Sequence, residues 1–202
     1  MLLMLALLQS IELPAQWRSP RLTRLGPEEG ISSTINAMAQ DSLGFMYFAT
    51  IDGLYKYDGH TFRFFGHDPM DDHSIGEGDV NTIHAARDGK VWMTLRFGGL
   101  NSYDPHTDLF QRYPVPTLSF RSNPGAHGLY EDQNKILWVG ADHFRLLSFD
   151  RSTQQYTSYT PSWIDAEKHG GRLMIMSIVG DKHNASLLWL SVLGYGHQDA
   201  PH

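Results

Sequence analysis

The sequence predicts an all-β chain built from consecutive four-stranded antiparallel sheets, and three observations predict it. Short apolar segments alternate with period 2, as half-buried strands do. The pattern returns every 46 residues, placing Leu54, Leu100 and Leu146 in one register, with Tyr57, Tyr103 and Phe149 and then Asp58, Asp104 and Asp150 following in the same register. Gly and Asp stand between the segments, where they accept tight backbone turns.

The first unit reads as strands over Ile35 to Gln40, Phe45 to Thr50, Gly53 to Tyr57 and Phe62 to Phe65. Asp41-Ser42-Leu43-Gly44, Ile51-Asp52 and Asp58-Gly59 join them. The second unit runs from Val80 to Tyr113 and the third from Ala126 to Tyr159. An aromatic recurs in each second strand, at Tyr47, Trp92 and Trp138, and a pair of aromatics three apart closes each unit. The first pair, Phe62 and Phe65, arrives two residues sooner, which predicts a shorter turn at Gly59-His60. A fourth unit starts near Leu173, with Met176 to Val179 as its inner strand, Leu187 to Ser191 as its second, and Leu193-Gly194-Tyr195-Gly196 opening a third. Trp189 lies 51 residues beyond Trp138, so an insertion is expected within Asp181 to Ser186. Four strands with three tight turns in about 45 residues match a propeller blade and exceed a leucine-rich or ankyrin unit. The expected architecture is an incomplete β-propeller of about three and a half blades: 35–65, 80–113, 126–159 and a partial one at 173–196. A propeller closes with about 4 to 8 blades, so the chain reads as the front part of a longer polypeptide or as the product of a truncated reading frame.

The remaining segments differ in kind. Met1 to Leu8 is continuously apolar and Pro14-Ala15-Gln16 is a small-residue exit, so residues 1–15 read as a signal peptide lacking its basic n-region, followed by a linker over 16–29. Eight apolar residues fall short of the roughly 20 that span a bilayer. A buried first strand or helix is the alternative. The chain has 202 residues, 41% of them apolar, and a net charge of -6, with 16 Lys and Arg against 22 Asp and Glu and no basic run. Nucleic acid and anionic bilayers are therefore poor partners. The absence of cysteine excludes disulfides, thiolate metal sites and Cys nucleophiles.

In the first unit Asp41, Gly44, Met46, Tyr47, Phe48, Thr50, Gly53, Leu54, Tyr57 and Asp58 follow one another in a characteristic order. The stretch His67-Asp68-Pro69-Met70-Asp71-Asp72-His73-Ser74-Ile75 joins two units, and Gly30-Ile31-Ser32 leads into the first. These residues resemble the two-component regulator propeller repeats found in the periplasmic sensor regions of bacterial hybrid histidine kinases and some diguanylate cyclases. Tyr47 stands where that repeat has Trp, Asn134 where it has Gly, and Phe144-Arg145 where it has Gly-Gly, which questions the tight turn of the third unit. The resemblance implies an extracytoplasmic sensor, periplasmic in location, that binds a ligand, often a saccharide, and passes the event through a membrane helix to a cytoplasmic output domain. No kinase or cyclase motif is present in this chain.

The repeated aromatics Trp92, Trp138 and Trp189 are expected to pack between blades, because a buried aromatic removes about 150 to 250 Å² from water. Asp58, Asp104 and Asp150 sit before turns and are expected to accept bonds from nearby backbone N–H groups. The eleven histidines are scattered, and the one loose cluster, His67-Asp68 with Asp71-Asp72-His73, reads as a solvated linker before it reads as a cation site. No hydrolase or nucleotide signature occurs. The expectation is therefore no catalytic residue, no metal ligand, no cofactor and no enzymatic activity in this chain. A paired carboxylate such as Asp71 with Glu77 keeps a carbohydrate-active hydrolase or lyase as the alternative, and a protein-interaction scaffold is the third reading. For ligand binding, loops joining second to third strands gather on one face, and residues that break the repeat there are the candidates: Arg96 and Phe97 in the second unit, Asp142, His143 and Phe144 in the third. Arg suits polyol or carboxylate recognition and Phe offers a stacking face. The partners expected are an oligosaccharide or other small ligand, downstream membrane and signalling domains, and a second copy in a homodimer.

Overall fold

The computed structural model describes residues 22–76, 78–116, 126–141, 145–159 and 173–194. The expected signal peptide, Glu77, and Asp142, His143 and Phe144 lie outside them. The first sheet holds β1 (Ile35–Gln40), β2 (Met46–Thr50), β3 (Leu54–Tyr57) and β4 (Phe62–Phe65) in that order. The second holds β5 (Val80–Ala85), β6 (Val91–Leu95), β7 (Gly99–Asp104) and β8 (Leu109–Tyr113). The third holds β9 (Ala126–Glu131), β10 (Leu137–Ala141), β11 (Arg145–Asp150) and β12 (Gln155–Tyr159). A two-stranded sheet follows, of β13 (Leu173–Gly180) and β14 (Leu188–Gly194). All pairings are antiparallel. The first strands β1, β5, β9 and β13 contact one another in succession. The sheets therefore stack sideways around an axis, as blades of a partial β-propeller.

Alternation along each strand sends one set of side chains to the preceding sheet and the other to the following one. Tyr47, Ala49 and Leu54 of the first sheet pack with Val80, Val91, Met93, Leu95 and Tyr103 of the second. Trp92 and Leu100 of the second pack with Leu137, Val139, Leu147 and Phe149 of the third. Trp138 and Leu146 pack against Ile175 and Ile178 of the fourth. Leu54, Leu100 and Leu146 thus occupy one environment three times over. Each core lies between two sheets, so the sheets stabilise one another laterally. Ile31 covers the outer face of the first sheet with Phe48 and Tyr55. In the described part of the segment 16–29, expected to be a linker, lies a 3-10 turn, Pro27–Glu29, in which Glu29 Oε2 accepts from the Gly26 N–H at 2.7 Å.

Four expectations need correction. Leu193 and Gly194 do not open a third strand; they continue β14, pairing with Met174 and Leu173. Trp189 is 61% exposed, whereas Trp92 at 2% is packed between two sheets. The residue standing where the first turn has Gly is Lys135, one beyond Asn134: it has φ 66°, matching Gly44 at 93° and Gly89 at 84°. Arg145 does not disturb the third hairpin, since Ala141 pairs with Arg145 just as Leu95 pairs with Gly99.

The shorter first turn is observed, whereas the insertion expected within Asp181 to Ser186 accounts for only part of the displacement of Trp189. Asp58 N bonds Thr61 O across Gly59-His60 at 3.3 Å, while Asp104 pairs with Leu109 and leaves two more residues in the turn. In the last sheet Asp181 N bonds Leu187 O, a span two residues longer than Asp132 N to Ile136 O. The remaining displacement of Trp189 arises before Asp181.

Candidate functional site

Each innermost strand carries one irregularity, at the same place. Ile35 pairs with Thr50 and Ala37 with Ala49, so Asn36 is an extra residue. Asn81 is extra between Val80 and Thr82, and Met176 between Ile175 and Ser177. In β9 the shift falls between the pairs Ala126–Ala141 and Leu129–Val139, which takes in His127. A bulge of this kind bends the strand and re-aims a side chain. Asn36, Ala37, Asn81, Thr82, His127 and Met176 together line a cleft of about 360 Å³ where the four inner strands begin, at the mouth of the axis.

Two of these side chains also tie the blades together. Asn36 Nδ2 donates to Val80 O at 2.8 Å, and Asn81 Nδ2 donates to Ala126 O at 2.9 Å, each reaching the first inner residue of the next sheet. The carbonyl of Ala126 can only accept, so it fixes which end of the Asn81 amide faces that way. The same nitrogen lies 3.1 Å from His127 Nδ1, on the neighbouring sheet.

Arg96 and Phe97 belong to this face, because the β6–β7 loop leaves from the strand end that pairs with Val80, as the β2–β3 loop does from the end that pairs with Ile35. Arg96 N bonds Asp79 O at 2.9 Å, and Arg96 Nη1 pairs with Asp79 Oδ2 at 3.1 Å. The guanidinium lies 5.5 Å from the half-exposed Phe97 ring. Asp79 Oδ1 in turn sits 3.3 Å from Asn36 Nδ2. Arg96 is thus linked through Asp79 to the mouth. The structure brings Arg96 and Phe97 to this face and does not describe Asp142, His143 or Phe144.

Sequence reasoning missed Asn36, Asn81, His127 and Met176. A signal was present: the four stand at equivalent positions, 45, 46 and 49 residues apart, yet only two share an identity.

The other polar clusters serve the scaffold. Asp58 Oδ1 accepts from the N–H groups of His60 and Thr61 at 2.8 and 2.7 Å, and the Thr61 bond, then that of His60, holds its carboxyl down at about 2. Asp104 and Asp150 accept from the N–H groups of His106 and Ser152 in the same way. In the linker, Asp68 and Asp71 accept from the Met70 and His73 N–H groups, and Arg112 clasps the linker through Asp71 O and Ser74 O. The carboxylates of Asp68 and Asp71 are thereby committed to their own backbone. Among the described residues no group of three or more His, Asp or Glu is placed to hold a metal ion. No helix there is long and apolar enough to cross a membrane.

No family model matches the chain. Over 67 residues, 33% of its length, it is 37% identical to histidine kinase P4 of Formosa agariphila, of which that stretch is 5%. It is similar in structure to the extracellular domain of the hybrid two component system BT3049 from B. thetaiotaomicron, with a TM-score of 0.61 and 24% identity over 87% of this chain and 26% of that one. It is also similar to virginiamycin B lyase from Staphylococcus aureus, with a TM-score of 0.60 and 11% identity over 83% of this chain and 57% of the lyase. At these identities the structural likenesses show the fold. The chain spans about a quarter of the extracellular domain it resembles and a twentieth of the kinase.

Proposed function

We propose that the chain is part of the extracytoplasmic, periplasmic sensing region of a bacterial signal-transduction protein, a noncatalytic propeller segment that binds its ligand on the face shared by the axial mouth and the β6–β7 loop. The observation that carries this reading is a contrast within the molecule. Residues that repeat in identity, such as Leu54 and Leu100, are buried between sheets, while those that repeat in place but change in identity, Asn36 to Met176, open together on one face. Packing explains the first set, and the changing identities of the second suit recognition. Similarity to a histidine kinase at the sequence level and to a two-component extracellular domain in fold supports the signalling assignment. The likeness to the lyase is one of fold and supplies no catalytic group.

Arg96 and Phe97, and Asp142, His143 and Phe144 of the third unit, are the rim residues in this reading. An oligosaccharide is the ligand class proposed, and output would come from further domains of a longer protein. Calorimetric titration with oligosaccharides, run beside a hydrolysis and lyase screen, tests it. Saturable heat without turnover is the expected result. Turnover that vanishes on replacing a single carboxylate would overturn it in favour of an enzyme.

A further inference from the structure

The bulged residues at the mouth carry a statement about which ligand fits. Among the described residues the cleft is bounded by two amides, a threonine hydroxyl, an imidazole, a thioether and a methyl, and by no carboxylate, Lys or Arg. Asp79 and Arg96, one step behind Asn36, pair with each other. Both asparagines spend Nδ2 on the blade contacts described above, and among the described residues Oδ1 of each accepts no bond. Those two oxygens are acceptors of hydroxyl protons, and burying them against a ligand without a donor would be costly. Met176, 42% exposed, presents a polarisable apolar surface to the same cleft, and Ala37 adds a methyl to its lining. A volume of about 360 Å³ is in the range of small-molecule clefts, roughly 300 to 1,000 Å³.

We infer that the axial mouth is a subsite for a neutral, polyhydroxylated ring, which donates hydroxyl protons to Oδ1 of Asn36 and Asn81 and lays its apolar C–H face on Met176. This rests on the sensing reading and narrows it: carboxylated or sulfated sugars are disfavoured here, because among the described residues no Lys or Arg lines the cleft to pair with them. An anionic ring would also meet the two amide oxygens and the thioether with nothing to offset its desolvation.

The test uses the full chain and four neutral trisaccharides, maltotriose, cellotriose, xylotriose and mannotriose, with trigalacturonate as the acidic probe. Binding is followed by amide chemical shifts and calorimetry. At least one neutral trisaccharide is expected to bind at least tenfold more tightly than trigalacturonate and to move the resonances of Asn81, Thr82 and Met176. The Met176→Trp variant, at an exposed position, is expected to fill the mouth and abolish that binding with an unchanged melting temperature. The Met176→Ala variant keeps the fold and is expected to weaken binding about tenfold. Binding that survives Met176→Trp would overturn the inference while leaving the sensor reading standing. Preference for trigalacturonate, or no response to any neutral probe, would also overturn it. Cleavage of a bound sugar would overturn the sensor reading instead.

Discussion

The aspartate that closes the first hairpin of a blade does two jobs with two oxygens. Asp41 Oδ1 accepts from the N–H groups of Leu43 and Phe45, both at 2.9 Å, and Oδ2 accepts from the Tyr47 hydroxyl at 3.0 Å. Asp132 repeats this with Asn134, Ile136 and Trp138 Nε1, and Asp181 with His183, Asn184 and Trp189 Nε1. In the second sheet the position is Ala86, whose backbone bonds Lys90 O at 2.9 Å as the aspartates bond their partners. Trp92 Nε1 is accordingly buried with no acceptor. An unmet buried donor costs about 1 to 3 kcal/mol. Ala86→Asp should therefore raise stability by about 1 kcal/mol in urea titration, and a loss of stability would contradict this account of the turn. The aspartate spacing was legible in the sequence, since Asp41 and Tyr47 stand as far apart as Asp132 and Trp138. The left-handed turn at Lys135 was not, because a lysine there gives no glycine to read, although left-handed backbone costs a non-glycine residue about 1 to 2 kcal/mol.

Contacts between elements decide how neighbouring blades hold together. Between the second and third sheets, Glu131 is buried and accepts from Arg151 Nη2 at 2.6 Å, His84 Nε2 at 2.9 Å and the Arg87 N–H at 3.3 Å. Arg151 also pairs with Asp88 at 2.8 Å and lies 6.0 Å from the Trp92 ring. Burial alone would raise the Glu131 carboxyl, but these hydrogen bonds outweigh it and hold it below its ordinary value of 4.5. A carboxyl lowered in the folded state binds its proton more readily when unfolded. Its stabilisation is complete above the unfolded value and is lost as pH falls through the folded one. Chemical denaturation should show stability declining below about pH 4.5, and Glu131→Gln should flatten that decline while costing about 1 to 3 kcal/mol at pH 7. An unchanged pH profile in the variant would refute the role given to Glu131.

Between the third and fourth sheets the controlling feature is small size. A Cβ on Gly140 would stand 2.5 Å from Ile175 O, so Gly140→Ala must push β13 away. A loss of about 1 to 3 kcal/mol is expected by thermal denaturation, and a neutral effect would mean that β13 does not pack there. Strand order and turn lengths were readable because turn residues and aromatics keep register from unit to unit. The bulges escaped because one inserted residue leaves the apolar alternation on either side intact, and the site escaped with them.

At the scale of the whole molecule, a single arrangement accounts for both stability and recognition. Three four-stranded sheets and a two-stranded one shelter their apolar surfaces against one another, and sideways stacking brings the inner strands around one axis. That stacking converts four separate bulges into one lined mouth. The resemblance drawn from the repeat residues agrees with the fold of a two-component extracellular domain, whereas Arg96 and Phe97, chosen as loop residues that break the repeat, are at the rim of that mouth and do not line it. Loop exposure was predictable from sequence, but convergence on an axis depends on the angle between sheets, which no local pattern encodes. The chain has no cysteine, so a pair introduced as Asn81→Cys with His127→Cys provides its only thiols, at side chains now 3.1 Å apart on different sheets. Treatment with dibromobimane, a short bis-thiol reagent that fluoresces on bridging, is the most direct test of the stacked inner strands. The account predicts rapid intramolecular bridging of the monomer in buffer and its loss in urea; equal yields in both, or no bridging in buffer, would contradict it.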